Sequence, residues 1–383
     1  MTEKGRIHSA MLNTANQALP PEGGSLNHNI PILQLVGVGK DFAGGAVRAV
    51  HGASLSVRAG EILSILGPSG CGKSTMMRMI AGLEDPTEGD IRIAGRSVLG
   101  LPAHKRNVGL VFQSLAIFPH MTVWQNVAFG LRMKQTPKAK ITAKVNAALE
   151  TVQLPARTFA QRLPGQLSGG QLQRVALART LVTEPALILF DEPMAALDRR
   201  LRDHMAVELR SIQKALNIAA IYVTHDQETA SVMSDRIAIM NSGQVVQVGT
   251  PADIYRRPSN RFVAEFLGDV NCLRARSQPA DQTDGPGSLI LGGAIGDMEA
   301  GTLEQELFFR PEHVLLQIRR KSPDDIAGTI IDVQFASGLF NWRVRLSDGQ
   351  ELVARTTSDL AGAGSGTAVW VQVSPDNIFT PQG

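Results

Sequence analysis

The 383-residue chain predicts an α/β fold with a parallel sheet, a helical insertion and a small all-β barrel at its C-terminal end. Three observations predict it. Residues 61–66 are apolar and β-prone; they run into a glycine-rich turn and then into an apolar stretch of helical spacing at 76–83. Further apolar runs of strand length end in polar residues at Gln113, Asp191 and His225, with helical patterns between them. From about residue 270 the composition changes to short β-prone runs with many glycines.

Residues 1–30 are polar and include Pro20, Pro21, Gly23 and Gly24, which predicts a disordered extension. Strands are expected at 32–38 and 53–57, flanking a turn at Gly44 and Gly45. Phe42, just before that turn, suits either a hairpin aromatic or a platform for a purine ring. The glycine-rich turn reads Gly67-Pro68-Ser69-Gly70-Cys71-Gly72-Lys73-Ser74-Thr75 and fits a phosphate-binding loop. Its glycines let several backbone N–H groups point into one concavity, and the helix that follows adds its positive end. Lys73 is placed to reach β- and γ-phosphates, and the Ser74 hydroxyl to ligate Mg²⁺.

A hairpin strand follows at 89–95, then a buried strand at 108–113 that ends in Gln113. Prolines at 119, 137, 155 and 164 punctuate the next stretch, and helical patterns recur at 123–133 and 141–152, which predicts a helical subdomain over about 114–180. Ser168, Gly169, Gly170 and Gln171 precede the helical run 172–182, either an ordinary helix cap or a second anion site. The strand at 186–190 ends in Asp191-Glu192, suited to hold Mg²⁺ and to polarise a water. A helix at 201–216 and a strand at 219–223 lead to His225. In open parallel sheets ligands bind beyond the carboxyl ends of the strands, so Gln113, Asp191 and His225 converge on one place.

In order and spacing, Gly67 to Thr75, Gln113, Leu167 to Gln171, Asp191-Glu192, Asp198 and His225 resemble the nucleotide-binding subunit of ATP-binding cassette (ABC) transporters. The Leu-Ser-Gly-Gly-Gln signature separates that family from kinases, GTPases and helicases. The resemblance implies a P-loop ATPase core and two subunits that sandwich two ATP molecules head to tail. It implies that residues 67–75 bind the phosphates and Mg²⁺, with Asp191 a further metal ligand. Gln113 then senses the metal and the attacking water, Glu192 is the general base, and His225 contacts the γ-phosphate. Ser168, Gly169, Gly170 and Gln171 would meet the partner's nucleotide, Asp198 would organise the dimer, and Phe42 would stack on adenine. Ala195 departs from the family's usual serine. Cys71, by the same resemblance, would act through its backbone, with an exposed thiol that reacts when nucleotide is absent.

The tail resembles the transport-associated OB-fold of bacterial import ATPases, which gives a domain plan of 1–30, 31–268 and 269–383. OB-folds often bind nucleic acid, but no basic aromatic groove is evident, and a structural or regulatory tail is expected. No apolar run approaches the roughly 20 residues needed to span a bilayer. Two cysteines give no disulfide framework, and an intracellular location is expected. The family reading therefore adds a separate membrane permease, an extracytoplasmic solute-binding protein and a peripheral place on the cytoplasmic face of the inner membrane. Leu115, Ile117, Phe118 and Met121 are candidates for the permease-docking groove. The wording at 112–122 resembles the branch serving polyamines, ferric iron, phosphonate and sulfate, with putrescine or spermidine preferred. The competing expectation is a soluble ABC ATPase uncoupled from transport, against which stand one signature and no zinc or coiled-coil insertion.

Overall fold

The computed structural model describes residues 30–194, 198–277, 289–290, 303–322, 325–360 and 362–380. The extension read at 1–30 (apart from Ile30) and Ala195 lie outside them. Two compact units divide between Pro251 and Ala252.

The first unit holds two sheets. β1 (Leu33–Phe42), β2 (Val47–Val57), β4 (Glu88–Ile93) and β5 (Arg96–Ser97) form an antiparallel sheet in the order β2-β1-β4-β5. β3 (Ile62–Leu66), β6 (Val108–Val111), β7 (Leu187–Asp191), β8 (Ala219–Val223), β9 (Arg236–Asn241) and β10 (Gln244–Gly249) form the second, in the order β10-β9-β3-β8-β7-β6. Every pairing in it is parallel except the β9–β10 hairpin at the edge. β3 and β8 are buried at every position, as their unbroken apolar sequence requires of strands covered on both faces. β2 begins well before the expected residue 53, because its first residues, Val47 and Arg48, are exposed and carry no apolar alternation. β6 ends at Val111, so Gln113 opens a turn instead of closing the strand.

Seven helices are described in this unit: α1 (Lys73–Ala81), α2 (Val123–Met133), α3 (Lys138–Thr151), α4 (Ala156–Phe159), α5 (Gly169–Leu181), α6 (Arg199–Leu216) and α7 (Gln227–Met233). α2 opens on a capping box, in which Thr122 Oγ1 accepts from the Gln125 N–H and Gln125 Oε1 accepts from the Thr122 N–H. One core packs α2, α3 and α5 against the face of the sheet carrying Ile188, Phe190, Ala220 and Tyr222. A second packs α1 and the antiparallel sheet against Leu63, Ile65, Leu187, Leu189 and Ile221 on the opposite face. The period-two alternation of β3, β7 and β8 assigns these residues to their faces.

In the second unit, α8 (Pro251–Arg256), which begins one residue before the division, and α9 (Arg261–Phe266) precede the β structure. β11 (Asn271–Ser277), β12 (Leu289–Ile290) and β13 (Leu303–Phe309) form a small antiparallel sheet. β14 (Val314–Gln317), β15 (Ile326–Ala336), β16 (Leu339–Leu346), β17 (Glu351–Thr356) and β18 (Ala368–Val373) form a five-stranded antiparallel sheet in the order β14-β18-β15-β16-β17. Its core centres on the fully buried Trp342 with Val344, Ala354, Val371 and Phe309. This is the small all-β domain that the tail composition predicts, OB-like as the resemblance implies. The compact unit begins ahead of the composition change because Arg310 gathers the two short helices: its guanidinium donates to the carbonyls of Tyr255, Ala264, Gly268 and Asp269.

Candidate functional site

Gly67 follows β3, and the chain turns through Gly70 (φ 80°) and Gly72 (φ 102°), left-handed conformations that favour glycine, before α1 begins at Lys73. Two close approaches leave no room for a side chain. A Cβ on Gly67 would lie 2.2 Å from the Met240 carbonyl oxygen, and one on Gly72 would lie 2.4 Å from that of Ala49. The loop is therefore pressed against neighbouring backbone on one side, while Ser69, Gly70 and Ser74 are exposed on the other. Lys73 is buried, and its Nζ donates to the carbonyls of Gly67 (2.7 Å) and Pro68 (2.8 Å), which holds the loop as a ring around the ammonium. Thr75 is half-buried one turn into α1.

The expectation of an exposed Cys71 thiol is corrected. Cys71 is 5% exposed and its Sγ lies 3.8 Å from Lys73 Nζ, so the packing that crowds Gly67 also covers the sulfur.

The strand order sets the ends of β3, β8, β7 and β6 side by side. The phosphate loop, His225, Asp191-Glu192 and Gln113 thus follow adjacent parallel strands at one edge of the sheet. Glu192 has φ 44°, an unusual conformation for a side-chain-bearing residue, and its N–H donates to the Val223 carbonyl at 3.0 Å. That geometry turns its carboxylate toward His225, with Oε1 3.1 Å from Nδ1. Burial, and then the neighbouring Glu192 carboxylate, push the Asp191 carboxyl above its ordinary range, against the pull of Arg78 and Lys73. Asp226, beyond His225, caps α7 through the Thr229 N–H and pairs with Arg202.

The signature forms a helix cap. Ser168 Oγ accepts from the Gln171 N–H at 3.4 Å, and Gln171 Oε1 accepts from the Ser168 N–H at 3.0 Å. Gly169 is exposed, while Gly170 is buried against α6, where a Cβ would meet Met205 and Leu201 at ordinary van der Waals distance. Asp198 caps α6, its Oδ1 accepting from the Leu201 N–H at 3.0 Å. Phe42 ends β1 at 37% exposure, with Lys40 Nζ 5.0 Å from its ring centroid. Its face is outside the core, as a stacking platform requires. Among the described residues, no hydrogen bond or ion pair joins Phe42, Ser168 to Gln171, or Asp198 to the phosphate loop.

Two residues of this region carried no signal in the sequence. Gln173 Nε2 donates to the Pro193 carbonyl at 2.7 Å, directly after the carboxylate pair. Arg106, 2% exposed, donates from Nη1 to the Met79 carbonyl at 2.7 Å and from Nε to that of Leu101 at 2.8 Å. It fixes the far end of α1, where a cation also suits the helix dipole. Either contact depends on an element distant in sequence, so no local pattern announces it.

A glycine cradle ringing a lysine, two carboxylates and a histidine at the same sheet edge, and a serine-capped signature helix define a nucleotide-hydrolysing cassette. The chain belongs to the ATP-binding subunits of ABC transporters, and it is an ABC-type ATPase. The family model described as ABC transporter matches residues 50–195, and the TOBE domain model matches 307–380. The chain is 43% identical to the spermidine/putrescine import ATP-binding protein of Thermobifida fusca (strain YX), over 93% of this chain and 95% of that one. It is 41% identical to the putrescine transport ATP-binding protein of Escherichia coli (strain K12), over 89% and 91% respectively. A dimeric bacterial ABC transporter cassette matches with TM-score 0.50 and 33% identity, covering 57% of this chain and 98% of that one. The cbiO1 subunit of an ABC transporter complex from Clostridium perfringens matches with TM-score 0.54 and 29% identity, covering 59% and 90%.

Proposed function

We propose that this chain hydrolyses ATP as a head-to-tail homodimer and thereby drives polyamine import through a separate membrane permease. The observation that carries the hydrolytic part is the Glu192–His225 contact at 3.1 Å, at the sheet edge that also bears the phosphate loop. The polyamine part rests on the names of relatives that match across nearly the whole chain.

The residues act as follows. Phe42 stacks on the adenine ring, and the N–H groups of residues 67–75 receive the phosphates. Lys73 gives up its loop carbonyls for phosphate oxygens. The donor set suits Mg²⁺: the Ser74 hydroxyl, the Gln113 amide and the Asp191 carboxyl are hard oxygen ligands, too few for an all-protein cage but enough beside phosphate. A cation there would also relieve the strain on the Asp191 charge, whose ionisation burial and Glu192 oppose. The ion's chemistry is neutralisation of the phosphate charge. Glu192 takes a proton from the attacking water, and His225 orients that water and the γ-phosphate. Ser168, Gly169, Gly170 and Gln171 meet the partner subunit's γ-phosphate at the N-terminus of α5, and Asp198 places the turn between the subunits. ATP thus favours the closed dimer, and its loss releases it.

Among the described residues no helix is long and apolar enough to cross a membrane. We read the permease as a separate protein, served by an extracytoplasmic binding protein, with this subunit peripheral on the cytoplasmic face; the import ATP-binding relatives support that reading. Leu115 and Ile117 pack against the core, which leaves the half-exposed Phe118 and Met121 as the docking pair.

The test is uptake of labelled putrescine, spermidine, ferric iron, sulfate and an organophosphonate by cells carrying either the native chain or Glu192→Gln. Loss of putrescine or spermidine uptake alone is expected. Loss of another solute instead would overturn the polyamine reading, and unchanged uptake of all of them would overturn the coupling to import.

A further inference from the structure

Gln173 lies on α5 two residues after the signature, and it holds the turn that carries the general base. Its amide orientation is not open to choice, because the Pro193 carbonyl can only accept and so must face Nε2. Glu192 is thereby gripped on both sides. Its own N–H donates to Val223 on β8, and the carbonyl of the next residue accepts from Gln173 on α5. These two bonds bracket a carboxylate residue held at an unfavourable φ of 44°.

The other half of the amide argues against a role in stability. Among the described residues, Gln173 Oε1 is buried without a partner. Gln173 lines a cleft with Val111, Leu177, Phe190 and Met205, to which Arg174 and Glu208 also contribute. A buried orphan acceptor costs about as much as a good hydrogen bond contributes. A methionine of similar length would remove that orphan and leave the Pro193 carbonyl as an unpaired acceptor in its place, one orphan exchanged for another.

We propose that Gln173 is a positioning residue that couples the two nucleotide sites of the dimer. The proposal rests on the head-to-tail reading given above. In that arrangement the signature turn meets the ATP bound by the partner subunit, while Glu192 serves the ATP of its own subunit. Gln173 joins the two within one chain: a shift of the N-terminal turn of α5 pulls on Pro193 and re-aims the Glu192 carboxylate. Occupancy of one site thus sets the base of the other.

The experiment uses the full chain and four proteins: native, Gln173→Met, Glu192→Gln and the double variant. Gln173→Met is expected to lower kcat roughly tenfold with the KM for ATP within about twofold. Its Hill coefficient for ATP should fall toward one, and its melting temperature should stay within about 2 °C of native, because the orphaned Pro193 carbonyl replaces the orphaned Gln173 Oε1. Adding it to Glu192→Gln should slow turnover no further, since both changes act through one carboxylate. A native kcat and Hill coefficient in Gln173→Met would overturn the proposal. So would multiplying effects in the double variant, or a kcat loss accompanied by a large fall in melting temperature. Native turnover in Glu192→Gln alone is a separate outcome: it would overturn the assignment of the base, and with it the group that Gln173 is held to position.

Discussion

Asp191 pairs a stability cost with the metal-binding role proposed for it. Its carboxyl is pushed upward first by burial and then by Glu192, so the native protein binds that proton more tightly than the unfolded chain does. The sign follows: as pH rises above the ordinary aspartate value of 3.8, the ionised Asp191 increasingly penalises the folded state. Asp191→Asn should therefore melt higher than native without nucleotide at about pH 7.5, and the difference should shrink toward about pH 4. If Asp191 ligates Mg²⁺ as proposed, the same variant should lose Mg²⁺-dependent ATP hydrolysis by about a hundredfold or more. Thermal melts at the two pH values and a turnover assay check both halves; a variant that melts lower at both pH values would refute the argument. At this scale the sequence was most legible where chemistry is spelled by consecutive residues, as in 67–75, 168–171 and 191–192. It was least legible where a contact joins elements far apart. Gln173 reaches Pro193 only because α5 packs beside β7, and the Cys71 thiol is covered by packing that its neighbours in sequence do not reveal.

Among the elements, the segment before α2 shows how a loop without secondary structure is made rigid. Asn126 is fully buried in α2; its Oδ1 accepts from the Phe118 N–H at 2.9 Å. Its Nδ2 donates to the carbonyls of Phe118 (3.1 Å), Met121 (3.0 Å) and Thr122 (3.1 Å). Upstream, Leu115 (φ 57°) and Ala116 (φ 46°) are both left-handed, and Arg179 on α5 donates to both of their carbonyls. Asn126→Leu removes every bond to the first of these segments and strands polar backbone groups in the interior, at a cost of about 3 kcal/mol. A lowered melting temperature with unchanged nucleotide affinity is expected, together with weaker permease-stimulated hydrolysis, since Phe118 and Met121 lose their placement. Nucleotide binding by fluorescence and turnover in reconstituted transporter would measure this, and full stimulation would remove the docking assignment. Strand and helix existence here followed from apolar period and from a cap such as Ser168. Element ends did not: β6 stops at Val111, short of the expected residue 113, and the turn that follows is held at Leu115 and Ala116 by Arg179, a residue on another element.

The whole molecule divides its polar burial between two units, and the second depends on one cation. Arg310 is 1% exposed, and burial pulls its guanidinium below the usual arginine range. It remains charged at any working pH, so the donors must be satisfied where they lie. Four carbonyls, at Tyr255, Ala264, Gly268 and Asp269, take bonds from the two Nη groups, while Nε is buried without a partner among the described residues; the Tyr255 ring lies 4.1 Å from the guanidinium. The Tyr255 hydroxyl bonds Glu312 and is pushed up to about 12 by burial and that carboxylate, so it stays neutral beside the cation. Arg310→Met keeps the apolar volume and removes every donor, which leaves carbonyls of the α8–α9 segment without partners at a cost of about 3 kcal/mol or more. All of these contacts lie after Ala252, within the second unit. The expected result is selective: the melting of the C-terminal unit moves down while nucleotide still stabilises the first unit to the native extent. Calorimetry with and without Mg-ATP separates the two, because only the unit that binds nucleotide shifts upward with ligand. If Arg310→Met lowers both transitions together, the units fold as one cooperative body and the clamp belongs to the whole chain.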